Sequence, residues 1–158
     1  MRVAVVTDRT VHHEETDAAA RCSELASGLA ARNHEVTVFC SRWWDGGTAV
    51  PTFDADGVTH RAVTDDPSAP DWKFLTRLPR LLRRFGPDVV HVTHEPPAAV
   101  LGAGIARRLG GAPVVVDWYD DDPRSGWAER ARHLAVRTPD RVVVPSNLIE
   151  TSVLQLGG

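Results

Sequence analysis

Short apolar runs rich in β-branched residues recur along the chain and predict strands. The first, Val3 to Thr7, has apolar residues at successive positions rather than alternating ones, which indicates a strand buried on both faces. Similar runs follow at regular intervals, and the one at Val58 is the weakest. The predicted strands after the first are Glu35 to Cys40, Val58 to Val63, Asp88 to Thr93, Pro113 to Trp118 and Arg141 to Val144.

Between these runs, apolar residues return every three or four positions, which predicts helices. The first helix lies between Thr16 and Asn33: either Thr16 or Asp17 caps its start, and Asn33 can take the left-handed conformation that ends it. A second helix, 72–85, contains Pro79, which either kinks it or divides it, and Gly86-Pro87 stops it. Three more helices are predicted at 97–109, from Asp122-Pro123, and from Ser146 or Asn147.

Alternation of strands and helices predicts the fold class. It indicates an α/β, Rossmann-like domain, with a doubly wound, mainly parallel sheet and helices on both faces, formed by residues 1–158 as a single domain. In such sheets ligands bind beyond the carboxyl ends of the strands. Four loops are expected at that edge, namely 8–16, 94–97, 117–122 and 145–147.

Composition excludes several classes of protein. The chain has 158 residues, of which 42% are hydrophobic and 25% charged, as in an ordinary globular domain. The net charge of -3 argues against a nucleic-acid partner. No apolar run reaches the roughly 18 residues of a membrane span, and the N-terminal run is too short for a signal peptide, so we expect a cytoplasmic protein.

Cys22 and Cys40 fit buried thiols better than a disulfide framework.

The order of several motifs resembles the N-terminal domain of family 4 glycosyltransferases, which have the two-domain GT-B architecture. The resemblance covers nearly the whole chain and rests on RVAVVT at 2–7, LASGLAARNHEVTV at 25–38, PDVVHVTHEP at 87–96, APVVV at 112–116 and PDRVVVPS at 139–146. It implies transfer of a sugar from a nucleotide-sugar donor with retention of configuration. It also implies that a C-terminal domain, absent from residues 1–158, binds the donor, while this domain binds the acceptor.

Two segments depart from the family pattern. The loop after the first strand lacks the family's glycine pair and carries Glu14, Glu15 and Asp17, which would oppose a phosphate at the following helix N-terminus. Tyr119 stands where the family often has a histidine, and tyrosine is a poor base near neutral pH. The resemblance nevertheless gives Tyr119 and the adjacent Asp120 as the candidate catalytic residues.

Residues at the predicted sheet edge are the candidate substrate contacts. They are Asp8, His12, His13, His94, Glu95 and Ser146. His91 and His94 should face opposite sides of their strand, so they are not expected to share a metal. We expect no cofactor and no metal. The carboxylates at 120–122 could bind a divalent cation, but a helix cap and a solvated turn explain them better. His12 and His13 fit a loop that contacts the acceptor better than a metal cluster.

Two segments suggest partners. The predicted helix at 72–85 interleaves apolar and basic residues, so it is either a peripheral contact to an anionic membrane or a surface helix whose apolar side enters the core. Trp43 and Trp44 could form a platform for a sugar or anchor their loop to the sheet. The expected acceptor is a sugar, a small molecule or a lipid-linked molecule.

Two other functional classes compete with the transferase. One is a non-catalytic Rossmann-like module for ligand binding or interaction that has lost the donor half. The other is a stand-alone nucleotide-binding enzyme, which the absence of a G-x-G-x-x-G turn and of a P-loop disfavours.

Overall fold

Seven strands form one sheet in the computed structural model, which describes residues 1–46, 50–119 and 127–157. The strands are β1 (Arg2–Val6), β2 (Glu35–Ser41), β3 (Thr52–Ala55), β4 (Val58–Thr64), β5 (Val89–Thr93), β6 (Val114–Asp117) and β7 (Arg141–Val143). The helices are α1 (Asp17–Ala30), α2 (Trp72–Phe85), α3 (Pro97–Arg108), α4 (Trp127–Val136) and α5 (Asn147–Gln155).

The sheet order is β3-β4-β2-β1-β5-β6-β7, and every neighbouring pair is parallel except β3 with β4. The chain winds outward from β1 in one direction and from β5 in the other. The predicted doubly wound, mainly parallel α/β fold is therefore confirmed, and all six predicted strands are present. The switch point lies between β1 and β5.

Helices cover both faces of the sheet. On one face, Cys22 and Ala26 of α1 pack against Val3, Val5 and Val38. On the other face, side chains of the remaining four helices pack with alternate residues of the same strands. That larger core includes Ala4, Val6, Phe74, Leu78, Val92, Ala99, Val136 and Val153.

Local signals in the sequence account for most helix ends. Thr16, rather than Asp17, caps α1, because its hydroxyl accepts a hydrogen bond from the Ala19 N–H at 3.2 Å. Asn33 has a φ of 61° and Gly86 a φ of 63°, the left-handed conformations expected after α1 and α2. Ser146 caps α5. The predicted helix start at Asp122-Pro123 lies outside the described residues.

Helix α2 runs without interruption through Pro79. Phe74 and Leu78 before the proline, and Leu82 and Phe85 after it, pack into the same core. This shared packing keeps the two parts of the helix together despite the lost backbone hydrogen bond.

Strand β3 was missed by the sequence analysis, which predicted no strand between Cys40 and Val58. Its four side chains are exposed or only partly buried, so the strand lacks the alternation of apolar residues that marks a strand. Asp56 and Gly57, with φ values of 53° and 75°, form the turn to β4. An Asp-Gly pair is a strong hairpin signal and would have located this strand.

Candidate functional site

A cleft opens at the carboxyl ends of β1 and β5, beside the N-terminus of α1. Its volume of about 710 Å³ includes space that is open to solvent. The structure brings three of the predicted site residues, Asp8, Glu95 and Tyr119, to its walls. They come from the loops after β1, β5 and β6, and the parallel arrangement of these strands places their carboxyl ends at one edge. Arg9, Glu14, Thr16 and Asp71 also line the cleft.

Asp8 is held in place by the ends of two neighbouring strands. The Ser41 hydroxyl donates a short hydrogen bond to the Asp8 carboxylate, and the Thr64 hydroxyl donates to Ser41 Oγ at 2.7 Å. The Ser41 N–H also donates to the Asp8 carbonyl at 2.9 Å. These contacts fix the first residue of the loop that follows β1.

Among the described residues that line the cleft, negative charge predominates. Four carboxylates, on Asp8, Glu14, Asp71 and Glu95, face a single guanidinium, on Arg9. Arg9 lies 2.9 Å from Glu14 and 3.7 Å from Asp8, so much of its charge is already balanced. The carboxylates of this wall can accept hydrogen bonds from hydroxyl groups.

His94 is fully buried instead of open at the edge. Its ring stacks on Trp118 with 4.8 Å between ring centroids, and it meets Tyr119 edge to face at 4.5 Å. In this structure His94 therefore packs behind Tyr119 and does not line the cleft. Asp120, the other candidate catalytic residue, lies outside the described residues.

His12 and His13 lie away from the cleft, towards β4. The His12 ring stacks on Trp43 at 4.0 Å and lies 5.4 Å from the His60 ring. His13 Nδ1 accepts a hydrogen bond from the Thr10 N–H at 3.0 Å, and burial lowers the pKa of His13. Both histidines were expected at the edge site with Asp8. They lie elsewhere, because the loop turns back against the β2–β4 side of the sheet.

Trp43 and Trp44 anchor their loop. The Trp44 indole N–H donates to the Val50 carbonyl at 2.8 Å, and the ring is buried. Trp43 packs between His12 and Phe53. This geometry favours the interpretation of Trp43 and Trp44 as an anchor for their loop over the interpretation as a platform for a sugar.

Ser146 serves the start of α5 rather than the cleft. Its hydroxyl accepts a hydrogen bond from the Ile149 N–H at 3.4 Å. The preceding Pro145 lines a second depression, which adjoins the cleft at Thr16 and Tyr119.

An ionic cluster around the buried carboxylate of Asp117 was missed by the sequence analysis. The Arg21 Nε–H donates to Asp117 Oδ2 at 2.6 Å, and His91 Nε2 lies 3.8 Å from the same oxygen. Burial raises the pKa of Asp117, but the contacts with His91 and Arg21 outweigh burial and hold this pKa below its ordinary value. An aspartate at the end of an otherwise apolar strand is the signal that could have indicated a buried partner.

Arg21 and Asp117 join α1 to the strand that carries Tyr119. Asp117 ends β6, two residues before Tyr119, and Arg21 lies in the second turn of α1, close to the cleft. The pair therefore fixes one wall of the cleft against another.

The two cysteines are buried beneath α1. Burial raises the pKa of Cys22 to about 12, and it also raises the pKa of Cys40. Both remain thiols near neutral pH, as expected for packing residues.

No group of three or more histidine, cysteine or acidic side chains within residues 1–46, 50–119 and 127–157 is arranged to hold a metal ion. His91 and His94 point to opposite faces, since one contacts Asp117 and the other Trp118. Residues 120–122 lie outside the described part of the chain.

Helix α2 places its apolar side in the core and its basic side outward. Phe74, Leu78, Leu82 and Phe85 are buried, whereas Arg80, Arg83 and Arg84 are exposed. Lys73 and Arg77 each lie 3.1 Å from Asp65. In the described part of the chain, no helix is long and apolar enough to cross a membrane.

A Rossmann-like domain of GT-B type is the class that the fold and the site define. Residues 18–158 match the family described as Glycosyl transferase 4-like domain, so the chain belongs to that family. This agrees with the resemblance found in the sequence. No curated protein sequence matches the chain.

Solved structures with the same fold include glycosyltransferases. Sucrose-phosphate synthase from Thermosynechococcus elongatus is similar with a TM-score of 0.75 and 11% identity, over 98% of this chain and 44% of that chain. A glycosyltransferase from Rickettsia africae ESF-5 is similar with a TM-score of 0.65 and 16% identity, over 98% of this chain and 39% of that chain. The fold is not confined to transferases. UDP-GlcNAc 2-epimerase from Methanocaldococcus jannaschii is similar with a TM-score of 0.62 and 17% identity, over 99% of this chain and 43% of that chain.

The chain thus spans less than half the length of these structures. At identities this low, the likeness establishes the fold alone.

Proposed function

We propose that this chain is the acceptor-binding, N-terminal domain of a retaining glycosyltransferase. The observation that carries the proposal is the cleft at the switch point, lined by Asp8, Glu95 and Tyr119, in a chain of the glycosyl transferase 4-like family. Ligands of doubly wound sheets bind at this position.

The charge of the cleft supports the acceptor side of the reaction. Carboxylates at Asp8, Asp71 and Glu95 can accept hydrogen bonds from sugar hydroxyls but would repel the phosphates of a nucleotide sugar. The donor phosphates therefore belong to a second, C-terminal domain that closes over the cleft. This division of roles also explains why the loop after β1 tolerates Glu14 and Glu15 in place of a glycine pair.

The proposed chemistry needs little from this chain beyond positioning. In a retaining transfer of this type, the donor's own phosphate acts as the local base. Tyr119 would donate a hydrogen bond through its phenolic O–H at the reacting end of the cleft. The sequence resemblance gives Asp120, the next residue in the chain, as the second catalytic candidate. Retention is testable by proton NMR, which should show the donor's anomeric configuration in the product.

We propose that the acceptor is a sugar or a lipid-linked molecule. We also propose that the chain acts in the cytoplasm, at the inner face of a membrane. The support is the outward basic side of α2, where Arg80, Arg83 and Arg84 are exposed. Such a surface attracts anionic lipid headgroups.

Glu95 provides the test of the site. In a two-domain protein that joins this chain to a donor-binding domain, Glu95→Gln should raise the acceptor KM about tenfold or more, because it removes a charged hydrogen-bond acceptor. The measurement is nucleotide release from a panel of nucleotide sugars as the acceptor concentration is varied.

The matched control is Glu129→Gln, an exposed position on α4 outside the cleft lining, which should leave KM unchanged. Equal KM values for Glu95→Gln and the unmodified protein would refute the assignment of the cleft. Acceptor binding without any transfer by the two-domain protein would favour the non-catalytic binding module.

A further inference from the structure

The two histidines of the loop after β1 lie on the side of the sheet that holds β2 and β4. The His12 ring stacks on Trp43 with 4.0 Å between ring centroids, and its centroid lies 5.4 Å from that of His60 in β4. The Trp43 and His60 rings are themselves 5.6 Å apart. Rings from three separate segments thus hold this loop beside β4, and two of the three rings are imidazoles, which titrate near neutral pH.

His60 lies where a positive charge is unfavourable. Its exposed fraction is 7%, and its Nδ1 atom has no hydrogen-bond partner among the described residues. A protonated imidazole donates from both ring nitrogens, so a donor would stay unsatisfied in a buried position. Burial lowers the pKa of His60, and the nearby His12 lowers this pKa further.

His13 accepts a hydrogen bond that requires its neutral form. Its Nδ1 accepts from the Thr10 N–H at 3.0 Å, so this nitrogen carries no proton while the loop is closed. Its Nε2 is buried and has no hydrogen-bond partner within the described part of the chain. Burial lowers the pKa of His13, and Arg9 acts in the same direction. Protonation of Nδ1 would break the bond to Thr10.

The groups that favour a charge on His13 do not offset burial. They are the carboxylates of Asp8 and Glu14 and the backbone carbonyl of Arg42. Asp8 is already hydrogen-bonded to the end of β2, and Glu14 lies 2.9 Å from Arg9.

Compensation is also weak around His60. Asp56, in the turn before β4, favours its charge but is exposed to water. On β3, Asp54 is exposed as well, and Arg61, the next residue of β4, points to the opposite face of the sheet. On α1, Cys22 lines the same pocket as His60 and stays a neutral thiol, because burial raises its pKa to about 12.

The same loop forms part of the cleft. Asp8, Arg9 and Glu14 line the cleft, whereas His12 lies against Trp43 and His60. A change in how the histidines pack therefore changes one wall of the cleft.

We propose that His13 and His60 form an acid-sensitive latch, which holds the loop after β1 in place when both are neutral and releases it when they take up protons. In the open loop both histidines return to the ordinary pKa of 6.5, which is above their pKa in the closed loop. The open loop therefore binds more protons below that pH, and a falling pH favours it. This inference goes beyond the proposed function and holds for any ligand of the cleft.

The test is amide hydrogen exchange of the purified chain, measured by NMR at about pH 7.5 and about pH 5.5 and corrected for the intrinsic exchange rates. Protection of the Thr10 amide should fall at the lower pH, by up to about tenfold for each histidine that must be neutral in the closed loop. The Val5 amide, in the central strand β1, should stay better protected than that of Thr10 at both pH values. Unchanged protection of Thr10 would overturn the proposal. Equal protection of Thr10 and Val5 would also overturn it, because the loop would then open only when the whole domain unfolds.

Histidine variants locate the groups that take up the protons. His13→Asn keeps an oxygen that can accept from the Thr10 N–H, and His60→Gln keeps a polar side chain, but neither new side chain titrates. Each should reduce the pH dependence of Thr10 protection, and the double variant should abolish it. His34→Gln is the control, since His34 lies before β2 and contacts the N-terminal amine. If His60→Gln fails to melt cooperatively, His13→Asn carries the test alone. The same pH dependence in the histidine variants and in the unmodified chain would refute the latch.

Discussion

Arg21 and Asp117 are the residues that tie the walls of the cleft together. The Asp117 side chain is only 6% exposed, whereas that of Arg21 is 46% exposed. A buried carboxylate depends on its partner, because loss of that partner leaves a desolvated charge.

Arg21→Met should lower the free energy of unfolding by about 1–2 kcal/mol. The control is Arg9→Met. Arg9 is 47% exposed, about as much as Arg21, but its partners Glu14 and Asp8 are 46% and 25% exposed, so the loss should be under about 1 kcal/mol. Urea unfolding at pH 7 measures both. Equal losses would contradict the ionic role of Asp117.

The stability difference between Arg21→Met and the unmodified chain should also depend on pH. The pKa of Asp117 in the folded chain is below its ordinary value of 3.8, so its ionised form is stabilising above that pH. This contribution is lost as the pH falls through the folded-state pKa. The difference between the two proteins should therefore shrink below about pH 3.8.

At the scale of single residues, the sequence predicted position along a strand better than the direction of a side chain. Asp8, Glu95 and Tyr119 follow strand ends and reach the cleft. His94 also follows a strand end, yet it is buried against Trp118, because the flat imidazole can stack on the indole. His12 could not be placed from sequence because its partner, Trp43, is 31 residues away.

Helices α2 and α3 approach each other closely at a glycine. A Cβ atom added to Gly102 would lie 2.8 Å from the Phe74 carbonyl oxygen, which belongs to backbone and cannot move aside cheaply. Gly28 in α1 would place its Cβ 3.5 Å from the nearest atom, Nη1 of Arg32, which is ordinary contact. Asp71, just before α2, and Pro96, just before α3, line the cleft, so the spacing of these helices matters for the site.

Gly102→Ala should lower the free energy of unfolding by about 1–3 kcal/mol, because the added methyl forces the helices apart. Gly28→Ala is the control, and it should stabilise α1 by about 0.5–1 kcal/mol through its better helix propensity. Thermal melting reports both changes. An unchanged or raised Tm for Gly102→Ala would show that α2 and α3 are not packed as described.

The basic side of α2 makes a second prediction at the scale of elements. Arg80→Gln with Arg83→Gln should weaken binding to anionic vesicles by about 2 kcal/mol, roughly thirtyfold. Arg108→Gln with Arg130→Gln removes the same charge from exposed positions on α3 and α4 and should have a much smaller effect. Co-sedimentation with phosphatidylserine and phosphatidylcholine vesicles at two salt concentrations measures the binding.

Two results would reject the membrane contact. One is equal binding to both kinds of vesicle, and the other is the same loss in both double variants. The apolar residues of α2 serve the core, whereas Trp72 and all four arginines of the helix are exposed, so this experiment tests whether that exposed side contacts a membrane.

At the scale of the whole molecule, the sequence predicted the sheet because its strands carry continuous apolar runs and its helices a three- and four-residue repeat. These signals are local, and a doubly wound sheet joins sequence neighbours by standard crossovers. The edge strand β3 was missed because its side chains are exposed. The Arg21–Asp117 pair was missed because it joins residues 96 positions apart.

The central claim is that this chain supplies one wall of a catalytic cleft. Catalysis requires donor and acceptor to be held about 3–3.5 Å apart in a site that excludes water. The described cleft is open to solvent, and its described lining carries four carboxylates and one guanidinium. The chain should therefore fold by itself but need a donor-binding domain for activity.

The most direct test measures nucleotide release from nucleotide sugars by purified 1–158, first alone and then with a C-terminal domain from the same genome. A thermal melt with each nucleotide sugar accompanies the assay. We expect a cooperative melt that the donors do not shift, no release by the chain alone, and release when the second domain is added. Stabilisation by a nucleotide sugar together with turnover by the chain alone would contradict the account.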